Sequence, residues 1–351
     1  MKDRKDSGYQ FMRFVLTWTI FMHHILTTAN SNGVPKPYII NGIFSRVRGG
    51  FGQMAVAMFF MLSGALLWKN HKEIDRSIKF ILNHIVKLLL PLWIYSVPLI
   101  LVDYMKNPEW VLSSYARKTV IFNFLGADLY LWIFKDTYPY HVCGEWFTSV
   151  IIILYLLYPI LRKLFFDRKL WRWVGTVSII AMYLINLQYK YLTMGNGWYS
   201  VTIGLFYFWI GMLFEEYKDT ICNKHVSVIC FGLFSIVYLF FNRSIFGSEF
   251  MPSMIASLCS FVIIYVFANM IYRFIDKTAL LSIIEETCKN SYPIYLCHHF
   301  IIMLLMPLLL NQQSNVFQFL VFCIFVGFLC YCYSNSLRPV STYLLKKIRS
   351  K

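Results

Sequence analysis

Polar residues in this chain come in short clusters, separated by long stretches that hold almost none. A helix needs about 20 apolar residues to cross a bilayer. By that measure the pattern predicts ten helical spans, near residues 9–28, 51–68, 79–104, 146–164, 171–191, 198–216, 226–242, 251–272, 290–310 and 316–337. The expected fold class is therefore an all-α integral membrane protein, read as one polytopic domain over residues 1–351. With the N-terminus inside, the inside segments hold 22 of the 33 Lys and Arg residues and the outside segments hold 9. That bias predicts that both termini are cytoplasmic. The longest outside segment, 105–145, is aromatic with little periodicity, and suits an interfacial helix or a re-entrant lid over a site. No repeat of one half in the other and no low-complexity linker is visible. The short tail after the last span predicts no appended soluble domain.

Composition agrees with this pattern. The chain is 58% hydrophobic and 14% charged, outside the usual soluble range. Its 19% of Phe, Trp and Tyr suits aromatic belts at two membrane interfaces. A net charge of +16 raises the question of nucleic acid, but the basic residues sit between apolar runs and form no single stripe. The expected partner is the lipid bilayer, with no nucleic acid, and the expected location is the plasma membrane, crossed many times. The nine cysteines form no CxxC pair and no metal-ligand spacing, which argues against a disulfide framework and against a metal. The first span is too long and too polar for a removable signal peptide, and lacks a small-residue cleavage site.

Few polar side chains lie inside the apolar runs, so each is a candidate for chemistry. The stretch Phe11–Thr28 carries Arg13, His23 and His24. Arg13 and His24 are eleven residues apart, about three turns, which places them on one stripe roughly 16 Å apart along the axis; His23 points about 100° away. Ionisable groups at membrane depth are costly and face a protein interior or a watery cavity. The plainer reading has Arg13 snorkelling to headgroups and His24 bonding a neighbouring helix. Glu145 opens the fourth span just before Trp146–Phe147. It can orient an imidazole or bond hydroxyls, or be an acid favoured by a helix N-terminus. The small pair Ser63–Gly64 lets helices approach closely, and the Ser63 hydroxyl can also bond a ligand beside a cavity. Gly49–Gly52 lacks the strand-then-helix context of a phosphate loop and is expected to be a turn. Lys79 and Lys87 can meet phosphates or anionic headgroups. His298, about eight residues into the ninth span, is either an interhelical bond or a site-lining residue; its neighbour His299 is assigned no role.

Four blocks carry a resemblance. Arg13 and His24 with ten residues between them, FFMLSG at 59–64, GEWFTSVIIILYLLYP at 144–159 and SYPIYLCH at 291–298 stand in order across nearly the whole chain. Together they resemble the acyltransferase 3 family of integral-membrane proteins. The resemblance implies a ten-helix core and an O-acyltransferase, which takes an acyl group, usually acetyl, from cytoplasmic acyl-CoA. The acceptor would be a hydroxyl of a cell-surface or lipid-linked glycan, and no metal cofactor is implied. His24 would be the base and Arg13 the cation for the donor's phosphate or thioester end; Glu145, from its own place at the start of the fourth span, is the third catalytic candidate. Ser63, Lys87 and His298 would bind donor or acceptor. The chain departs from the pattern in having Lys79 and Lys87 where Arg is commoner. It also has Glu145 where many members have His, with His141 a turn earlier. A transporter of a glycan or lipid-linked precursor is the other class that intramembrane Arg, His and Glu suit. Such proteins often show repeated halves with helices broken at equivalent places, and neither is visible here.

Overall fold

Each of the ten predicted apolar stretches overlaps a helix in the computed structural model, which describes residues 7–46, 50–71, 77–130, 140, 142–143, 146–188, 200–240, 250–275 and 278–349. In chain order the helices are α1 (Ser7–Ser31), α2 (Tyr38–Arg46), α3 (Gly50–Asn70), α4 (Ser77–Lys106), α5 (Pro108–Val111), α6 (Ser114–Phe124) and α7 (Trp146–Leu161). They continue with α8 (Lys169–Gln188), α9 (Val201–Ile221), α10 (Lys224–Phe240), α11 (Phe250–Ile275), α12 (Ala279–Leu309) and α13 (Val316–Arg349). No strand occurs among the described residues. Six of these helices contain segments long and apolar enough to cross a membrane: Phe51–Asn70, Ile78–Lys106, Trp146–Phe166, Ser253–Tyr272, Ala279–Leu309 and Val316–Ile348. The other four predicted spans fall short for visible reasons. α1 carries Arg13 and two histidines, α8 carries Lys169 and Arg172, and α9 ends in Glu215, Glu216, Lys218 and Asp219. The apolar part of α10, His225–Tyr238, is short.

Polar side chains inside the apolar helices close back on their own backbone. Thr17 donates to the Arg13 carbonyl at 2.8 Å, Thr19 to Val15 at 2.8 Å, Ser96 to Leu92 at 2.6 Å and Ser257 to Ser253 at 2.6 Å. This i−4 bond satisfies the hydroxyl where no water can reach it. Pro159 withholds an amide from α7 near its end, and the chain leaves that helix through a π turn, Arg162–Phe166.

The described residues form two compact units. The first comprises Met1–Ala65 and Gly211–Tyr331. There α1 packs on α11 and α12, and α10 packs on α11. Tyr9 donates to the Glu215 carboxylate and sits against the Tyr265 ring, 4.9 Å between centroids. The backbones of α9 and α3 come close at Gly211, where a Cβ would run into the Met61 carbonyl. Part of the small-residue role expected of Ser63–Gly64 is thus filled by a glycine on α9 facing the same FFMLSG block.

The second unit comprises Leu66–Ile210 and Cys332–Lys351. There α4 packs on α5, α6 and α7, and the π turn packs on α7 and α8. Buried Arg172 donates from Nε to the Phe166 carbonyl at 2.8 Å and lies 4.6 Å from the Phe166 ring centroid. The segment 105–145 contains the short helices α5 and α6, the latter capped by Ser113, which accepts from the Ala116 amide at 3.1 Å.

One expectation needs correcting. Gly50–Gly52, expected in a turn, form the opening of α3. A Cβ on Gly52 would come 2.3 Å from the His23 ring, so the glycine is there to admit an imidazole from α1.

Candidate functional site

Contacts at both ends of the α1–α12 seam define the candidate site. At one end the Cys288 thiol donates to the Gln10 carbonyl at 3.0 Å, and Arg13 is an electrostatic neighbour of Cys288. At the other end the His24 ring lies 4.9 Å from His298 and 4.5 Å from His299, measured between centroids. Positions advance together along both helices, so α1 and α12 run parallel. From Cys288 to His299 is eleven residues, the interval that separates Arg13 from His24. Two matching stripes, each about three turns long, therefore face each other. Arg13 and His24 are expected on one face of α1; the contacts place Gln10 and His24 of that helix against α12, which supplies the facing wall.

His298 is 1% exposed, and its Nδ1 lies 2.7 Å from the Tyr295 carbonyl and 3.1 Å from that of Ile294. Carbonyl oxygens only accept, so Nδ1 carries the proton and the lone pair of the neutral ring sits on the buried Nε2. The helix itself thus sets the tautomer, as an orienting carboxylate does elsewhere. His24 is half-buried and also meets His23 at 5.4 Å. His299, given no role from sequence, is nearer to His24 than His298 is. Its eleven-residue spacing from Cys288 was the available signal, but it has meaning only once α12 is known to face α1.

Four imidazoles so close invite the thought of a metal. Among the described residues, no group of three or more His, Cys, Asp or Glu side chains is arranged to hold one. The cluster is instead suited to accepting and passing protons, with a guanidinium about 16 Å along the helix.

The remaining predicted residues are placed differently. Ser63 is half-buried on α3, eleven residues past the Gly52 that abuts His23, hence about 16 Å along that helix. Lys87 is exposed on α4 in the second unit, and Lys79 is exposed near the start of the same helix. Glu145 and His141 lie outside the described residues.

Comparison with known proteins adds one match. No curated protein and no solved structure matches the chain. The profile of the acyltransferase domain matches residues 6–335, a stretch that includes Arg13, His24, Ser63, Lys87, Glu145 and His298. The chain belongs to the acyltransferase 3 family.

Proposed function

We propose that this membrane acyltransferase moves an acetyl group from cytoplasmic acyl-CoA to a hydroxyl of a cell-surface or lipid-linked glycan at the plasma membrane. The observation that carries the reading is the α1–α12 seam, with His24 packed on His298 and His299 at one end and Arg13 beside Cys288 at the other. A base for the acceptor and a cation for the donor are thereby set about three turns apart on one helix face. Family membership also favours an acyltransferase over an exporter.

In direct transfer, His24 takes the proton of the acceptor hydroxyl as its oxygen bonds to the thioester carbonyl carbon. The oxyanion that forms is stabilised by guanidinium or backbone N–H donors. Its collapse breaks the C–S bond, and the coenzyme A thiolate takes the proton from the imidazolium. Arg13 holds the phosphate or thioester end of the donor, helped by Ser63. Glu145 orients an imidazole or bonds the acceptor.

The reading also takes ten crossings within a single domain, with both termini cytoplasmic. Helix direction supports that number. If only α1 and the six most apolar helices crossed, four crossings would separate α1 from α12. Consecutive crossings alternate in direction, so the two helices would then run antiparallel. They run parallel, which needs an odd number between them. Adding α8, α9 and α10 makes seven.

The test is purification in detergent with labelled acetyl-CoA and the surface glycan. Thioester should be consumed and label should enter the glycan. An enzyme that consumes no thioester and labels no glycan would end the reading.

A further inference from the structure

In the second unit, the buried side-chain atoms that have no hydrogen-bond partner among the described residues include Oδ1 of Asn123, Oγ1 of Thr148 and Oγ of Ser149. All three residues are 0% exposed. They belong to one neighbourhood. Asn123 Nδ2 donates to the Cys143 carbonyl at 2.6 Å and to the Asp128 carboxylate at 3.4 Å. Tyr130 donates its hydroxyl to the Ser149 carbonyl at 3.2 Å. Between them Gly126, with φ +62°, turns the chain so close that a Cβ there would meet Ile152 at 2.7 Å and Thr148 at 3.4 Å.

Elsewhere in the chain, five buried hydroxyls donate to the carbonyl four residues back, those of Thr17, Ser96, Thr119, Thr176 and Ser257. Thr148 and Ser149 stand in the first turn of α7, where the carbonyls four back precede the helix. Leaving such groups buried and unbonded is unfavourable, and a Val or Ala would avoid the cost. Retention of hydroxyls at two adjacent positions, in the neighbourhood of an amide oxygen, points to something that bonds them.

We infer that Asn123, Thr148 and Ser149, with Asp128, form a binding site for a polyhydroxylated ligand, in chemical terms the hydroxyls of a sugar ring. The donor set selects this class. Two hydroxyls both give and accept, an amide oxygen and a carboxylate accept, and no Lys or Arg belongs to the group. Such a set matches alternating O–H groups and repels phosphate. Identifying this ligand with the acceptor of acyl transfer rests on the function proposed above; the ability to bind sugar hydroxyls does not.

The experiment uses the full chain in an amine-oxide detergent, which has no sugar headgroup to compete, and no acyl-CoA. The probes are the methyl glycosides of glucose, galactose, N-acetylglucosamine and rhamnose, with affinity read by saturation-transfer NMR. At least one glycoside should bind the wild type. Thr148→Val and Ser149→Ala should each weaken it about three- to tenfold, the value of one net hydrogen bond. Both variants should keep or raise the thermal unfolding midpoint, because each removes an unbonded buried hydroxyl and little volume. No binding by the wild type, binding unchanged in the variants, or a lowered midpoint in both would overturn the inference. A protein that binds a glycoside here but transfers no acetyl group would refute the proposed reaction and leave this site standing.

Discussion

Two histidines in this chain are held by the same backbone device and have different surroundings. His298, on α12 in the first unit, gives its Nδ1 proton to carbonyls of its own helix at 2.7 and 3.1 Å. His84, on α4 in the second, gives its Nδ1 proton to the Phe80 carbonyl at 2.8 Å. Both rings are buried, and both place their lone pair on Nε2. Around His298 the nearest rings include imidazoles, one of them on another helix whose face also carries Arg13. Around His84 stand His71 at 5.0 Å, Phe80 at 4.2 Å and Tyr155 at 5.6 Å. Beside them Tyr158 donates to the Leu67 and His71 carbonyls, both at 3.0 Å, so this aromatic box ties α7 to the end of α3. A locked tautomer is thus a common consequence of placing His in a buried helix. Reactivity depends on what faces the ring.

The hardest test of that comparison is to remove one imidazole from each region. His24→Ala should lower acetyl transfer by about two to four decades, the usual contribution of general acid–base help. The variant should still insert and still bind coenzyme A, since losing a polar group from a span makes insertion easier. His84→Phe should leave the rate within a fewfold and act on stability, by about 1 kcal/mol for the lost hydrogen bond. In the wild type the rate should rise with pH through the imidazole range and level off, because the neutral ring is the base. Equal losses in the two variants would erase the distinction, as would a His24 variant that fails to fold.

Arg13 sharpens the comparison at the other end of the seam. Arg13→Ala should weaken coenzyme A binding by about one to two decades, the value of a charge-assisted contact of roughly 1.5–3 kcal/mol. Arg13→Lys should recover part of it, since a point charge replaces a fork of donors. Titration calorimetry that finds unchanged affinity in the Ala variant would reduce Arg13 to a membrane anchor.

The helices were legible in the sequence because apolar length is a local property, and each of the ten stretches overlaps one. That Arg13 and His24 lie on one helix was legible for the same reason. What faces them was not. The approach of His298 and His299 to His24 depends on α12 running parallel to α1, which no local pattern encodes, so no role for His299 was legible in the sequence. The glycines at 50–52 resembled a turn because glycine usually interrupts helices, and the reason for Gly52 is a ring on another helix. The exposed position of Lys87 likewise depends on how α4 packs. The bare hydroxyls of Thr148 and Ser149 were hidden too, because whether a hydroxyl finds its i−4 carbonyl depends on where the helix starts.

Gly52 offers a smaller effect within the first region. Gly52→Ala should destabilise by about 1–3 kcal/mol, the usual range for overpacking, because its Cβ would enter the His23 ring. His23→Ala alone should cost far less activity than His24→Ala. The double variant His23→Ala/Gly52→Ala should be more stable than Gly52→Ala, because the ring that clashes is gone. A cycle of thermal midpoints without coupling would show that the two residues do not touch.

The smallest effect belongs to the second region and concerns His71, just beyond the end of α3. Burial disfavours its charged form and lowers its pKa from the ordinary value of 6.5. In the unfolded chain the same ring takes up a proton as pH falls through about 6.5, while the folded protein still keeps it neutral. The unfolded state then binds more protons, so stability is lost as pH falls. The loss begins near 6.5 and levels off once the folded ring also protonates. His71→Phe keeps an aromatic ring against Phe80 and His84, now 5.1 and 5.0 Å away, and removes this titration. Thermal midpoints measured in detergent from pH 7.5 down to 5 should therefore fall less steeply in the variant than in the wild type. The two curves should converge in slope above pH 7, where His71 is neutral in both states. Parallel curves across the whole range would mean that His71 takes up its proton equally in folded and unfolded chains. Its ring would then be no more sheltered in the folded protein than in the unfolded chain, and the aromatic box would end at His84.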